Sequence, residues 1–235
     1  MKRRLLAIWP SPRFWPGVSL MVALLATACF RGKLPPRELY RLRLPENADS
    51  SPAQDPGIRA VAPGTVAIAP YIAPGIYGSR AIVYRVGETQ YGAYASREWA
   101  LPVSTMLGVL TEEIMRTRPL TTERALFDPA SLHGYTYIWR GSVRELEEID
   151  RGRNVYAAVR LDARLLRAAD DSVLWSGSVR VERAVPEGTM PTIVMVLSQI
   201  TAEAISQLID DAREAIAVPA ASAVRSVPAT PLRRP

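Results

Sequence analysis

The chain has 235 residues, with 29 Lys and Arg against 23 Asp and Glu for a formal charge of +6, and 48% of its residues are apolar. That apolar content excludes a disordered chain, and neither a heptad nor a collagen-type triplet repeat runs through it. Four basic groups lie in residues 1–28 and three in 219–235, neither of which holds an acid, so the body carries 22 bases against 23 acids, a net charge of −1, and the basic total is no sign of a nucleic-acid footprint.

At the amino terminus, the basic stretch Met1 to Arg13 precedes the uncharged apolar run Val18 to Ala28. Eleven residues make about 16 Å of helix, half of a bilayer core of about 30 Å, so the run reads as the apolar part of a secretory signal peptide over 1–28 rather than as a membrane span. It ends at the chain's single cysteine, Cys29. The sequence Leu25-Ala26-Thr27-Ala28-Cys29 resembles a bacterial lipobox, with Ala26 where the pattern prefers Leu. That resemblance implies a thioether-linked diacylglycerol on Cys29, cleavage before it, and further acylation with chains such as palmitate. Several chains on one residue hold a protein on a membrane, at about 0.8 kcal/mol per buried CH₂. Phe30, where a retained lipoprotein carries Asp, implies delivery to the outer membrane under the lipoprotein sorting rule.

Further on, Leu39 to Leu44 reads as a short first strand, and Pro45 to Thr65, rich in Pro, Ala, Ser and Gly, as a loop or linker. Val66 to Pro70 and Ala81 to Val86 read as strands. Val103, Leu107, Leu110 and Ile114 recur at helical spacing within Leu101 to Thr117, and Pro102 suits the first turn. Tyr135 to Leu146, Val155 to Leu165 and Val173 to Glu182 follow as strands of an antiparallel meander, the second with apolar residues at every alternate position and Asp170-Asp171-Ser172 turning the chain into the third. A helix from about Pro191 to Ile216 carries Ile193, Leu197, Ile200, Ala204 and Leu208 on one stripe. The expected fold is α+β, a two-layer sandwich in which two amphipathic helices cover one face of a mixed, mostly antiparallel sheet. The expected boundaries are a signal peptide over 1–28, a lipidated Cys and linker with its first strand over 29–63, one domain over 64–218, and a disordered tail over 219–235.

Enzymatic chemistry has little to work with. One histidine, His133, stands in a loop, and no G-x-S-x-G elbow, P-loop or G-x-G-x-x-G occurs. One Cys and one His build neither a disulfide nor a Cys/His metal cluster, so no cofactor or metal is expected. Carboxylates gather at Glu145, Glu147, Glu148 and Asp150, at Asp170 and Asp171, and at Asp210 and Asp211. They read as a solvated strand end, a hairpin turn and the polar face of a helix, with a carboxylate enzyme as the rival reading. Tyr71, Tyr77, Tyr84, Tyr91, Tyr94 and Trp99 crowd a stretch that also carries Arg80, Arg85 and Arg97. Such a mixture makes either a contact surface or core and sheet packing; as a surface, Tyr77, Arg80, Tyr84 and Trp99 are its candidate partner-binding residues.

Several runs together resemble the ABC-type transport auxiliary lipoproteins: Tyr40-Arg41-Leu42, Gly64 to Pro70, Ile76 to Arg85, Trp99-Ala100-Leu101-Pro102 and Val173 to Ser176, in that order, over roughly residues 25 to 212. The resemblance implies a fold similar to the amino-terminal domain of the Tol-Pal translocation protein and a non-enzymatic lipoprotein on the periplasmic face of the outer membrane. It further implies an auxiliary role in intermembrane lipid transport beside an MCE-domain periplasmic protein and its inner-membrane permease and ATPase, with a homo-oligomeric ring as one arrangement. A lipoprotein scaffold or adaptor for another cell-envelope assembly complex is the alternative on the same fold.

Overall fold

Side-chain periods of two in the strands and 3.6 in the helices place the alternating apolar positions on one side of a mixed sheet, with two helices against that side, an α+β fold. The computed structural model describes residues 36–44, 60–127, 130 and 132–224, with side chains as far as 217. The expected signal peptide, Cys29, residues 45–59 of the expected linker and residues 225–235 of the expected tail lie outside the described residues.

In chain order the elements are β1 (Glu38–Tyr40), β2 (Val66–Ile68), a 3-10 turn (Gly75–Gly78), β3 (Ala81–Val86), β4 (Gln90–Trp99), α1 (Val103–Thr117), β5 (Ala125–Phe127), β6 (Tyr137–Arg151), β7 (Asn154–Arg167), β8 (Val173–Ala184) and α2 (Met190–Val224). Strands β6, β7 and β8 form the expected antiparallel meander. The other side of β6 is shared between two parallel partners laid end to end: β2 pairs with its start, Val66 opposite Tyr137, and β3 with its end, Val83 opposite Glu147. β4 folds back on β3, β1 adds in parallel to β4, and β5 adds in parallel to β2. The path β1-β4-β3-β6-β7-β8 therefore crosses the sheet with β1 and β8 as its edges.

One consequence concerns the linker. Because β1 pairs with β4, residues 45–65 connect two strands of one sheet instead of separating an anchor from a domain, and the domain begins at Arg37 rather than at residue 64. The carboxyl end differs as well. α2 runs to Val224, past the expected start of the tail.

The core lies between sheet and helices. Val103, Leu107, Leu110 and Ile114 of α1 and Ile193, Leu197, Ile200, Ala204 and Leu208 of α2 are all buried, as is the β7 stripe Ala157, Val159, Leu161, Ala163 and Leu165. Each fully buried Leu or Ile contributes about 1.5–3 kcal/mol relative to exposure. α2 is long and apolar enough by composition to cross a membrane, but 67% of its most apolar window is buried, and the helix packs on β7 and β8. A polar relay ties the layers together: Trp139 Nε1 donates to Tyr71 Oη (3.2 Å), Tyr71 Oη to Thr111 Oγ1 (3.0 Å), and Thr111 Oγ1 to Leu107 O (2.7 Å). The direction follows from the last link, since a hydroxyl has one proton to give.

Candidate functional site

β4 is the element that the sequence concealed. Its ten residues hold Gly92, two alanines and a serine instead of β-branched side chains, so its sequence carries no strand signal. Gly92 gives the Tyr84 ring room, since a Cβ at that position would stand 2.3 Å from the ring carbon Cζ and the ring would have to shift. With β4 in place, the Tyr and Arg stretch becomes the β3–β4 hairpin and lies beside the last residues of β6, which carry Glu147 and Glu148.

These two carboxylates organise the site. Glu147, 0% exposed, accepts a hydrogen bond from Arg85 Nε on Oε1 at 2.7 Å and one from Tyr77 Oη on Oε2. Arg85 also donates to Gly87 O (3.2 Å), which ties the pair to the hairpin turn. Glu148, 7% exposed, accepts from Tyr94 Oη at 2.6 Å. The Tyr94 ring packs against Tyr84 at 5.1 Å, and the Arg97 guanidinium stands 5.1 Å from its centre. Successive residues of a strand point to opposite faces, so the two carboxylates face away from each other and form no pair across a shared cleft.

The electrostatics follow from burial. Desolvation first, and the Glu147 carboxylate second, hold the Tyr77 hydroxyl well above its ordinary value; Tyr94 is raised by burial and then by its bond to Glu148. Burial raises the Glu148 carboxyl above its ordinary value although the Tyr94 hydrogen bond works the other way. The hydrogen bond to Glu147 raises the Arg85 guanidinium, which therefore remains the cation of a buried ion pair.

The expected site residues are thus distributed between interior and surface. Trp99, 1% exposed, is core, and Tyr77 is buried with its hydroxyl on Glu147, so neither offers the docking surface expected of it. Arg80 is exposed, donating to Trp99 O (2.9 Å) and pairing with Glu98 (3.3 Å), and Tyr84 is half-buried against Tyr94. Of the stretch, Tyr71 is also core, whereas Tyr91 is half exposed with Arg85 6.0 Å from its ring. Cys29 lies outside the described residues.

The carboxylate clusters have identifiable partners. Glu145 to Asp150 is not the solvated strand end its composition suggested, because β6 continues to Arg151 with β3 on one side and β7 on the other. Glu145 pairs with Arg180 (2.8 Å), and Asp150 accepts from the Gly152 amide (2.8 Å). Asp170 accepts from Ser172 N and Oγ in the β7–β8 turn, as its position there suggests, and Asp210 on α2 pairs with Arg118. Among the described residues, no group of three or more His, Cys, Asp and Glu is placed to hold a metal ion. A depression of about 310 Å³ lies beside His133, Tyr137 and Arg167, and Arg167 is engaged there with Asp170 (3.4 Å).

No family model matches the chain, and no curated protein matches its sequence. Solved structures do match its fold. Protein XCC0632 from Xanthomonas campestris, of the DUF330 family, aligns with a TM-score of 0.64 at 17% identity, over 79% of this chain and 99% of its own. The crystal structure of an uncharacterized protein aligns with a TM-score of 0.57 at 13% identity, over 75% of this chain and 99% of its own. The chain is similar to these two proteins in fold across nearly their whole lengths.

Proposed function

We propose that this protein is an outer-membrane-anchored periplasmic lipoprotein that serves as an auxiliary component of an MCE/ABC-type lipid transport system. The observation that carries the reading is the junction between anchor and sheet. Cys29 closes an apolar run after a basic start, and eight residues later the chain enters the domain at Arg37. Fully extended, eight residues span at most about 27 Å, so an acylated Cys29 keeps the domain at the membrane surface. The interior supports a binding role over a catalytic one, because Glu147 and Glu148, the buried acids that chemistry would need, are committed to Arg85, Tyr77 and Tyr94. The MCE protein and its permease and ATPase would then act as partners that reach the anchored domain, with ATP hydrolysis on their side.

Two measurements test this. Mass spectrometry of the mature protein should find a product that begins at an acylated Cys29, and Cys29→Ala should abolish that modification; an unmodified thiol refutes the anchor. Affinity purification from detergent-solubilised membranes should recover an MCE-domain protein, a permease and an ATPase. Recovery of a different envelope assembly would point to the scaffold role instead.

A further inference from the structure

From the geometry of its first strand, we propose that the β1 edge of the sheet is a docking face for anionic phospholipid, lying against the membrane in which Cys29 is anchored. The inference rests on the lipoprotein reading above and adds which surface of the domain faces the bilayer.

The sequence Arg37-Glu38-Leu39-Tyr40-Arg41-Leu42-Arg43-Leu44 alternates with period two. Leu42 is buried and Tyr40 and Leu44 are half-buried, while Arg37, Leu39, Arg41 and Arg43 are exposed, Leu39 by 57%. One side of the segment is therefore fixed to the core, and the other presents a stripe of three guanidinium groups around a leucine. The exposure of these four residues shows that no described element covers that face, and β1 is in addition an edge strand.

The surrounding charge has the same sign. Arg97 stands opposite Glu38 on the adjoining β4 and Arg80 lies just before β3, and the acids of this edge are Glu38, paired with Arg97 (3.2 Å), and Glu98, paired with Arg37 (3.1 Å) and Arg80 (3.3 Å). Five arginines meet two glutamates, and among the described residues Arg41 and Arg43 form no ion pair. The body of the protein carries a net charge of −1, so this edge is a local exception and not a share of a uniformly basic surface. Guanidinium groups bind phosphate through paired donors, and an exposed leucine among them suits the interface between headgroups and acyl chains.

Tether length selects the occupant. Arg37 lies eight residues and Leu39 ten residues from Cys29, within about 27 and 34 Å of extended chain, so the stripe is the part of the described domain nearest along the chain to the acylated residue. Each arginine near an anionic surface raises the local partition about fivefold, so Arg41 and Arg43, which carry no ion pair among the described residues, raise it by roughly 25-fold.

The lone cysteine makes the test clean, since a thioether at Cys29 does not react with thiol probes. Leu39→Cys and, at the opposite sheet edge, Val173→Cys (Val173 is 55% exposed) are labelled with an environment-sensitive fluorophore in the mature, acylated protein. Each is reconstituted in vesicles of phosphatidylglycerol and phosphatidylethanolamine that contain a headgroup-linked quencher. The label at 39 should be quenched at least threefold more than the label at 173. Arg41→Gln with Arg43→Gln, or vesicles of phosphatidylcholine alone, should reduce that difference. Equal quenching at both positions, or quenching at 39 that ignores the arginines and the lipid charge, overturns the proposal. Labelling stoichiometry separates the two readings. A wild-type protein that takes up one probe has a free Cys29 and refutes the anchor, whereas an acylated protein with an unquenched label at 39 refutes only the docking face.

Discussion

Replacing Arg85 with Leu tests whether the buried cluster stabilises the sheet as its geometry implies. In the wild type, Arg85 Nε stands 2.7 Å from Glu147 Oε1, with the two side chains 9% and 0% exposed. Arg85→Leu leaves the Glu147 carboxylate in the interior with Tyr77 Oη as its remaining donor, and it also removes the bond to Gly87 O that fastens the hairpin turn. Breaking a buried ion pair from one side costs about 3–5 kcal/mol. With a urea m-value of about 2 kcal/mol/M for a domain of this size, the unfolding midpoint should fall by about 2 M. The double variant Arg85→Leu with Glu147→Leu should be more stable than Arg85→Leu alone. It strands only the Tyr77 hydroxyl, at a cost of about 1–3 kcal/mol, which Tyr77→Phe should largely recover. Urea titrations of the two single variants and the double variant complete the cycle. An Arg85→Leu penalty below about 1 kcal/mol, or single effects that simply add in the double variant, would refute the argument that the pair works as a unit.

Glu148 titrates in the opposite sense from a salt-bridged acid. Its folded-state carboxyl is raised by burial, so its stabilising share is complete below the ordinary value of 4.5 and is lost as pH rises through the raised one. Glu148→Gln, which keeps an acceptor for Tyr94, should therefore raise the melting temperature at pH 7, with the gain disappearing below pH 4.5; a lower melting temperature at pH 7 contradicts this. Gly141→Ala would place a methyl 2.1 Å from Tyr71 Cε1, on a ring held by Thr111 and Trp139, and should cost about 1–3 kcal/mol in chemical denaturation. In the β7–β8 turn Asp171 has φ 54, so Asp171→Val should cost about 1–2 kcal/mol, whereas Asp171→Gly should change stability by less than about 0.5 kcal/mol in the same assay.

Periodicity made the long elements legible. The β7 stripe from Val155 to Leu165 and the α1 and α2 stripes fall where the pattern placed them, because each packs one face on the core and its sequence records that face. β4 was hidden for the complementary reason. Its inner positions are filled by glycine, by a tyrosine bonded to an acid, and by a tryptophan at its end, so its burial comes from neighbours on other strands. β6 appeared to stop at Leu146 because four of the next five residues are polar, whereas the strand continues by burying two of those acids against Arg85, Tyr77 and Tyr94. A local pattern cannot show that partnership, since Glu147 and Tyr77 are separated by 70 residues. The same limit left Trp99 and Tyr77 as candidates for a contact surface: Tyr77 is taken inward by its bond to Glu147 and Trp99 by core packing, neither of which a local pattern records.

The place of β1 in the sheet also changes the mechanics of an anchored domain. Were residues 45–65 the tether, about 36 residues would separate Cys29 from the first strand of the domain, with an r.m.s. reach of about 33 Å for a flexible coil; eight residues reach about 16 Å. The effective concentration of a tethered group falls as roughly the −3/2 power of tether length, so under the proposed anchor the shorter attachment would raise the concentration of the domain at the bilayer by roughly tenfold. If Cys29 is acylated as proposed, the stripe of arginines and a leucine would need only to orient a domain that the lipid already holds. Such an orientation would turn the opposite, helix-covered face of the sheet away from the bilayer.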